Sequence, residues 1–174
     1  MGRTLLLTGR PGVGKTTVIK KAASVLGDDA GGFYTEEIRD ARRRRVGFRL
    51  VTLSGLEAVM AHVDLAGEGC PRVSRYGVDV RAIDRVGVKA LRDALDARKV
   101  LIVDEIGKME LFSEAFKDAV RDAVEGRKTV LGTVMRGSHP WVDNLRAEES
   151  VTVWEVTTES REDLLERIMA WRGR

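Results

Sequence analysis

The sequence predicts an α/β fold: a mostly parallel sheet with helices on both faces and an antiparallel excursion after the second strand. Three observations carry this. Short apolar runs alternate with amphipathic stretches along most of the chain. The clearest runs are unbroken rather than alternating, as strands buried on both faces should be. One region, residues 33–78, crowds strand-like segments together without a helix between them.

Thr4-Leu5-Leu6-Leu7-Thr8 is the first buried strand, ending at Gly9. A helix follows over Lys15–Leu26, with Val18, Ala22 and Val25 expected on its buried face and Gly27 stopping it. Gly32–Arg39, Val46–Leu53 and Ala58–Val63 read as the strands of the excursion. After Val78-Asp79 the helical spacing resumes with Val88, Leu91 and Leu95 on one face. Val100–Val103 is the clearest core strand. Ser113 can cap a helix carrying Phe116, Val120 and Val124 and ended by Gly126. Thr129–Val134 and Val151–Val156 are further strands. A last helix is expected to open near Ser160, present Leu164, Ile168 and Trp171, and close at Gly173. With no internal repeat or linker, residues 1–174 are expected to form a single domain.

Composition narrows the function classes. Apolar residues at 43% and charged residues at 33% exclude a chain disordered for want of core. Aromatics are only 5%, so Leu, Val, Ile and Ala must fill the interior. No apolar run approaches the roughly 20 residues of a membrane helix, so no membrane partner is expected. The stretch before Leu5 is too short, and the chain too soon glycine-rich, for a secretory leader. Cys70 stands alone, which excludes an internal disulfide, and no Cys/His cluster has zinc spacing. These features together predict a cytoplasmic protein. The net charge of +3 permits an anionic partner without demanding one. The absence of Gln, with Asn144 the only Asn beside abundant Arg and Glu, fits a heat-adapted source.

Gly9-Arg10-Pro11-Gly12-Val13-Gly14-Lys15-Thr16 satisfies the phosphate-loop pattern in full, between a predicted strand and a predicted helix. Its glycines let the backbone curl until successive N–H groups point inward around a β-phosphate. The helix start adds its positive dipole end. Lys15 would neutralise the β- and γ-phosphates, and the Thr16 hydroxyl would bind Mg²⁺. The apolar run at residue 100 ends in Asp104-Glu105, two carboxylates at the strand edge where ligands of parallel sheets bind. Asp104 would hold Mg²⁺ through its water shell, and Glu105 could orient or deprotonate a water attacking the γ-phosphate. Asp104-Glu105-Ile106-Gly107 also fits a GTPase pattern, yet no N-K-x-D or T-K-x-D is present to read guanine. Leu53-Ser54-Gly55 lacks the Gly-Gln that would complete a transporter-ATPase signature.

Five segments occur in one order: Gly12–Thr17, Gly32–Arg39, Arg45–Phe48, Tyr76–Val78 and, above all, Asp104-Glu105-Ile106-Gly107-Lys108-Met109-Glu110-Leu111-Phe112. Together they resemble the cancer-related, or thermophilic-type, nucleoside-triphosphatase family of P-loop proteins, over nearly the whole chain. The resemblance implies a RecA-like mixed sheet. It implies a Mg²⁺-dependent hydrolase that splits ATP and other nucleoside triphosphates to the diphosphate and phosphate with relaxed base preference. The family's nucleotide-binding segments fall on Gly9–Thr16, with Thr17 next in the motif, and on Leu101, Ile102, Val103, Asp104, Glu105, Ile106, Gly107 and Lys108.

Lys108 and Arg136 are the cations expected to reach the transferring phosphate, against a reading of each as a solvated surface cation. Tyr34, Glu36 and Arg39 are open between water or base contacts and structural roles. Arg42-Arg43-Arg44-Arg45 reads as a solvated turn, since no aromatic stacking platform accompanies it, and a nucleic-acid partner is not expected. His62 and His139 are too isolated to be metal ligands, and His139-Pro140 reads as loop. Trp141 could stack on a base but reads first as a core cap, Trp154 and Trp171 read as core-facing, and Cys70 reads as inert. A monomer hydrolysing nucleoside triphosphates is the first expectation. A P-loop small-molecule or nucleoside kinase is the alternative, and a nucleic-acid-responsive ATPase module a third.

Overall fold

The structure, a computed structural model, describes residues 2–126 and 128–173; Met1, Arg127 and Arg174 of the expected 1–174 unit lie outside it. Nine strands form one sheet: β1 Thr4–Thr8, β2 Ala30–Arg39, β3 Arg45–Thr52, β4 Glu57–His62, β5 Arg72–Val73, β6 Tyr76–Val78, β7 Val100–Ile106, β8 Thr129–Val134 and β9 Val151–Glu155. Their order across the sheet is β5-β6-β4-β3-β2-β7-β8-β1-β9. The strands from β2 to β9 in that order pair in parallel. From β2 outward to β5 the pairing is antiparallel. The mostly parallel sheet and its antiparallel excursion are both as the sequence predicts.

Strand alternation divides the interior into two cores. Leu5, Leu7, Val100, Ile102 and Leu131 point to one face, packing with Val18, Ile19, Ala22, Ala23 and Leu26 of α1 Lys15–Leu26 and with Leu164 and Ile168 of α6 Leu164–Arg172. Leu6, Leu101, Val103, Val130 and Val134 point to the other. There they meet one continuous helical run (α2 Val80–Ala82, a π-turn Ile83–Val88 and α3 Lys89–Ala97) together with α4 Glu114–Glu125 and α5 Pro140–Arg146. Each fully buried Leu, Ile or Val contributes roughly 1.5–3 kcal/mol by leaving water.

Several local expectations need correction. Val25 is 61% exposed, not buried, because the inward stripe of α1 runs through residues 18/19, 22/23 and 26, and Val25 falls off it. The last helix opens at Leu164 rather than near Ser160; Ser160 instead closes a reciprocal turn, its Oγ accepting from Thr157 N at 2.9 Å and its N–H donating to Thr157 Oγ1 at 3.2 Å. His139-Pro140 is not loop but the start of α5, with the His139 ring accepting from Trp141 N and Pro140 in the first turn, where its missing N–H costs nothing. Trp154 and Trp171 are half-buried at the margin of the α1 core, under Arg167 and Arg3 respectively.

Leu101 and Ile102 are adjacent residues facing opposite cores, each 0% exposed. Leu101→Ala and Ile102→Ala should each lower the unfolding free energy by about 2–5 kcal/mol in urea titration. A loss below about 1 kcal/mol for either would contradict a core on that face.

Candidate active site

The phosphate loop hangs between β1 and α1, and its glycines fill backbone roles no other residue could. Gly12 and Gly14 have φ of 78° and 111°, in the left-handed region that a Cβ disfavours. A Cβ on Gly9 would lie 2.6 Å from the Val156 carbonyl, so the loop start is clamped against the end of β9. Gly14 caps α1 without any side chain, and the first turn of α1 holds no acid, which leaves its N–H groups to an incoming anion. Lys15 folds back over the loop, donating to Gly9 O at 2.8 Å and Arg10 O at 3.1 Å.

The loop meets the sheet at Asp104. This carboxylate, 0% exposed, accepts from Thr16 Oγ1 at 2.9 Å, from the Thr133 hydroxyl of β8, and from Thr35 N of β2 at 3.4 Å. Burial pushes its carboxyl up, opposed by the hydroxyls of Thr133 and Thr16, the Thr35 N–H and the charge of Lys15. Glu105 is raised for the same first reason, then by the neighbouring Asp104 charge, again with Lys15 opposing. Both acids sit where the β7–β8 register breaks between Val103 and Ile106.

A cleft of about 410 Å³ opens over this edge. Gly9, Lys15, Glu105, Lys108 and Arg136 share its wall, so the structure brings together the loop, the second carboxylate and both cations named from sequence. Lys108 is exposed and makes no ion pair among the described residues. Arg136 is exposed and lies 3.6 Å from Glu155. The excursion contributes an apolar wall of Phe48, Met60 and Val73. On the other side of the loop's front, Thr16, Thr35, Glu36 and Arg45 border a second opening that also touches Glu105.

The remaining predicted residues divide between the two cores, the margins of these openings and the neighbouring hairpin. The side chains of Leu101, Ile102, Val103 and Ile106 are in the two cores, and Val13 packs beside α1, leaving Asp104, Glu105, Gly107 and Lys108 of that stretch at the site. Arg10 and Pro11 are exposed on the loop and Thr17 on the first turn of α1; Pro11 borders both openings and Thr17 the second. Tyr34 lies under Lys20, 4.6 Å from its ring centre. Glu36 is engaged by Lys20 at 2.8 Å and Arg49 at 2.7 Å, and Arg39 by the neighbouring Glu37 and the Arg43 carbonyl. In the arginine turn, Arg44 pairs with Asp40 and Arg45 with Glu37, neutralising half of the run within its own hairpin.

Two residues of the site escaped the sequence reading. Thr133 was hidden because its position beside Asp104 depends on β8 pairing with β7; a hydroxyl within an otherwise apolar run was the available signal. Glu110 was read only as part of a motif. It is 4% exposed, in a short 3₁₀ turn (Glu110–Phe112) that returns the chain under the cleft. A Cβ on Gly107 would stand 3.0 Å from Glu105 Oε1 and 3.1 Å from Glu110 Oε2, so this glycine lets the two carboxyl groups converge. Burial first, then the charges of Glu105 and Asp104, push Glu110 up to about 8.

A family model described as NTPase matches residues 4–169. The chain belongs to the NTPase family. Among its relatives, the nucleoside-triphosphatase THEP1 of Thermotoga petrophila is 43% identical, with 95% of this chain and 90% of that one aligned. The human cancer-related nucleoside-triphosphatase is 40% identical over 97% of this chain and 96% of that one. The crystal structure of THEP1 from the hyperthermophile Aquifex aeolicus superposes with a TM-score of 0.87 at 36% identity, covering 98% of this chain and 99% of that chain. The resemblance carried by the Asp104–Phe112 block is thereby confirmed at family level. No helix among the described residues is long and apolar enough to cross a membrane.

Glu110 gives this site a pH signature. Its carboxyl stays protonated in the fold up to about pH 8, whereas in the unfolded chain it ionises near its ordinary 4.5. The stabilisation is therefore complete below that ordinary value and is lost as pH rises through about 8. Between pH 5 and 8.5 the wild-type Tm should fall relative to Glu110→Gln by at least about 3 °C, the shift that about 1 kcal/mol produces at this chain length. Parallel Tm curves for the two proteins would contradict the buried, proton-holding carboxyl.

Proposed function

We propose that this chain is a Mg²⁺-dependent nucleoside triphosphatase. It hydrolyses ATP, GTP, CTP and UTP to the diphosphate and phosphate, acting as a cytoplasmic monomer built on one domain. The observation that carries the reading is the cleft shared by the Gly9–Thr16 loop and Glu105, with Asp104 bonded to Thr16 beneath it.

The donor set fits Mg²⁺. Thr16 Oγ1 and Asp104 Oδ2 are hard oxygens 2.9 Å apart, and the acid is a desolvated carboxylate whose ionised form a cation would favour. No cluster of three or more metal-ligating side chains occurs among the described residues. That too suits Mg²⁺, which is commonly held by one or two protein oxygens together with substrate phosphates and water. Bound there, Mg²⁺ would offset the negative charge of the β- and γ-phosphate oxygens.

The chain's own groups supply the rest. The loop N–H groups and the start of α1 cradle the β-phosphate. Lys15 exchanges its contacts with Gly9 O and Arg10 O for phosphate oxygens. Glu105, poised between burial and the charge of Lys15, orients a water in line with the γ-phosphate and accepts its proton as the new P–O bond forms and the bond from the γ-phosphorus to the β–γ bridging oxygen breaks, the diphosphate leaving with that oxygen. Glu110 holds its own proton beside Glu105, which spares the pair a second negative charge. Lys108 and Arg136 face the transferring phosphate from the far wall, where they compensate charge on its oxygens. A loop that reads phosphates rather than bases accounts for broad substrate use.

One observation favours a second reading. The apolar wall of Phe48, Met60 and Val73 extends the cleft beyond what phosphates need, leaving room for a small-molecule acceptor as in a P-loop kinase. Phosphate release from the four triphosphates with Mg²⁺ and no other substrate separates the two. The hydrolase reading expects release from several of them, reduced about 100-fold or more in Lys15→Ala and in Glu105→Gln. Tight nucleotide binding without release would favour the kinase, and full turnover by Glu105→Gln would remove Glu105 from its role.

A further inference from the structure

A triphosphate threaded through the loop has two ends, and the cleft over Glu105 accounts for only one of them. On the opposite flank of the loop lies a separate cavity of about 460 Å³. Its walls are the loop backbone at Gly12 and Gly14, Thr17, Val18 and Lys21 on α1, and Arg161, Glu162 and Leu165 at the entry of α6. Such a volume falls within the range of small-molecule sites. The cavity shares Gly12, Gly14 and Thr17 with the opening in front of the loop, so the two are neighbours across the same backbone.

The segment that carries Arg161 is registered against the loop. β9 pairs with β1, Val156 N donates to Thr8 O at 2.7 Å, and the Val156 carbonyl is the atom a Cβ on Gly9 would strike. The Thr157–Ser160 turn then holds the chain on its way to α6. Arg161 Cδ lies 4.0 Å from where a Cβ on Gly14 would stand, which lays the arginine stem along the loop's rim. Its guanidinium is exposed and makes no hydrogen bond or ion pair among the described residues.

We infer that this cavity receives the nucleoside end of the substrate, with the Arg161 guanidinium lying flat on the base. The inference rests on the hydrolase reading of the loop and deepens it. The cavity has an apolar side in Val18 and Leu165, a hydroxyl in Thr17, one cation in Lys21 and one acid in Glu162. None of its lining residues is aromatic, so the planar guanidinium is the group present that can stack. Every base has a π-face, and a stack of this kind tolerates all of them. Broad base use then follows from how the base is held, not from its being left in solvent.

The test compares Mg²⁺-dependent binding of ADP and of inorganic pyrophosphate, which lacks the nucleoside, by calorimetry. Arg161→Ala should weaken ADP, GDP and CDP about 5- to 100-fold while pyrophosphate changes less than about 2-fold. Arg161→Lys, which keeps the charge and loses the plane, should behave like the alanine variant. Arg161 is exposed, so neither change touches a core. Unchanged ADP affinity, an equal loss for pyrophosphate, or full rescue by lysine would each overturn the stacking role while leaving the loop's phosphate role standing. A wild-type protein that binds neither ligand would overturn the hydrolase reading and this inference with it.

Discussion

The site depends on one desolvated carboxylate. Asp104 is where the phosphate loop, the end of β7, the hydroxyl of β8 and the backbone of β2 are joined, through Thr16, Thr133 and Thr35. Burying an acid without partners would cost several kcal/mol or force it neutral. Three donors and the nearby positive charge of Lys15 reduce that cost without removing it, and the carboxyl remains raised. A buried acid left in this condition favours a cation next to it, and the oxygen beside it belongs to the loop that would bring the substrate. The parallel core matters to function because it holds these three strands in the register that makes the junction.

The same edge handles its remaining charge by geometry. Gly107 carries no side chain between Glu105 and Glu110, so the two carboxyl groups crowd one space, and Glu110 responds by keeping its proton. Gly32 plays a comparable part in the sheet. A Cβ there would stand 2.1 Å from the Ile102 carbonyl, and its φ of 117° suits glycine alone. This close approach lies just before β2 leaves β7 and continues into the antiparallel excursion, whose Phe48, Met60 and Val73 close the cleft's apolar side.

What the sequence disclosed followed from how local each signal was. The Gly9–Thr16 loop was legible because its requirements (left-handed glycines, a lysine, a hydroxyl) lie within consecutive residues. Asp104-Glu105 was legible because an apolar run stopped abruptly in acids. The burial of Glu110 depends on a 3₁₀ turn folding back under the cleft, and the contact of Thr133 on strand order, and neither has a signature in spacing alone. Arg161 reaches the loop only because β9 lies beside β1, though more than 140 residues separate it from Gly14. Val25 and Leu26 are one position apart, and only Leu26 lies on the buried stripe of α1. The start of α5 does carry a local signal, a proline directly after a capping side chain, which is a placement that favours helix starts.

In the proposed hydrolase, Asp104 and Thr16 form the metal-holding end of the phosphate site. Nucleotide affinity measured with and without Mg²⁺ in wild type and in Asp104→Asn tests this most directly. Mg²⁺ should tighten binding to the wild type by about tenfold or more, equivalent to about 1.4 kcal/mol, and add little in the variant, while metal-free binding through the loop stays comparable. An equal Mg²⁺ enhancement in both proteins would show that the metal is held elsewhere, and the claim would fail.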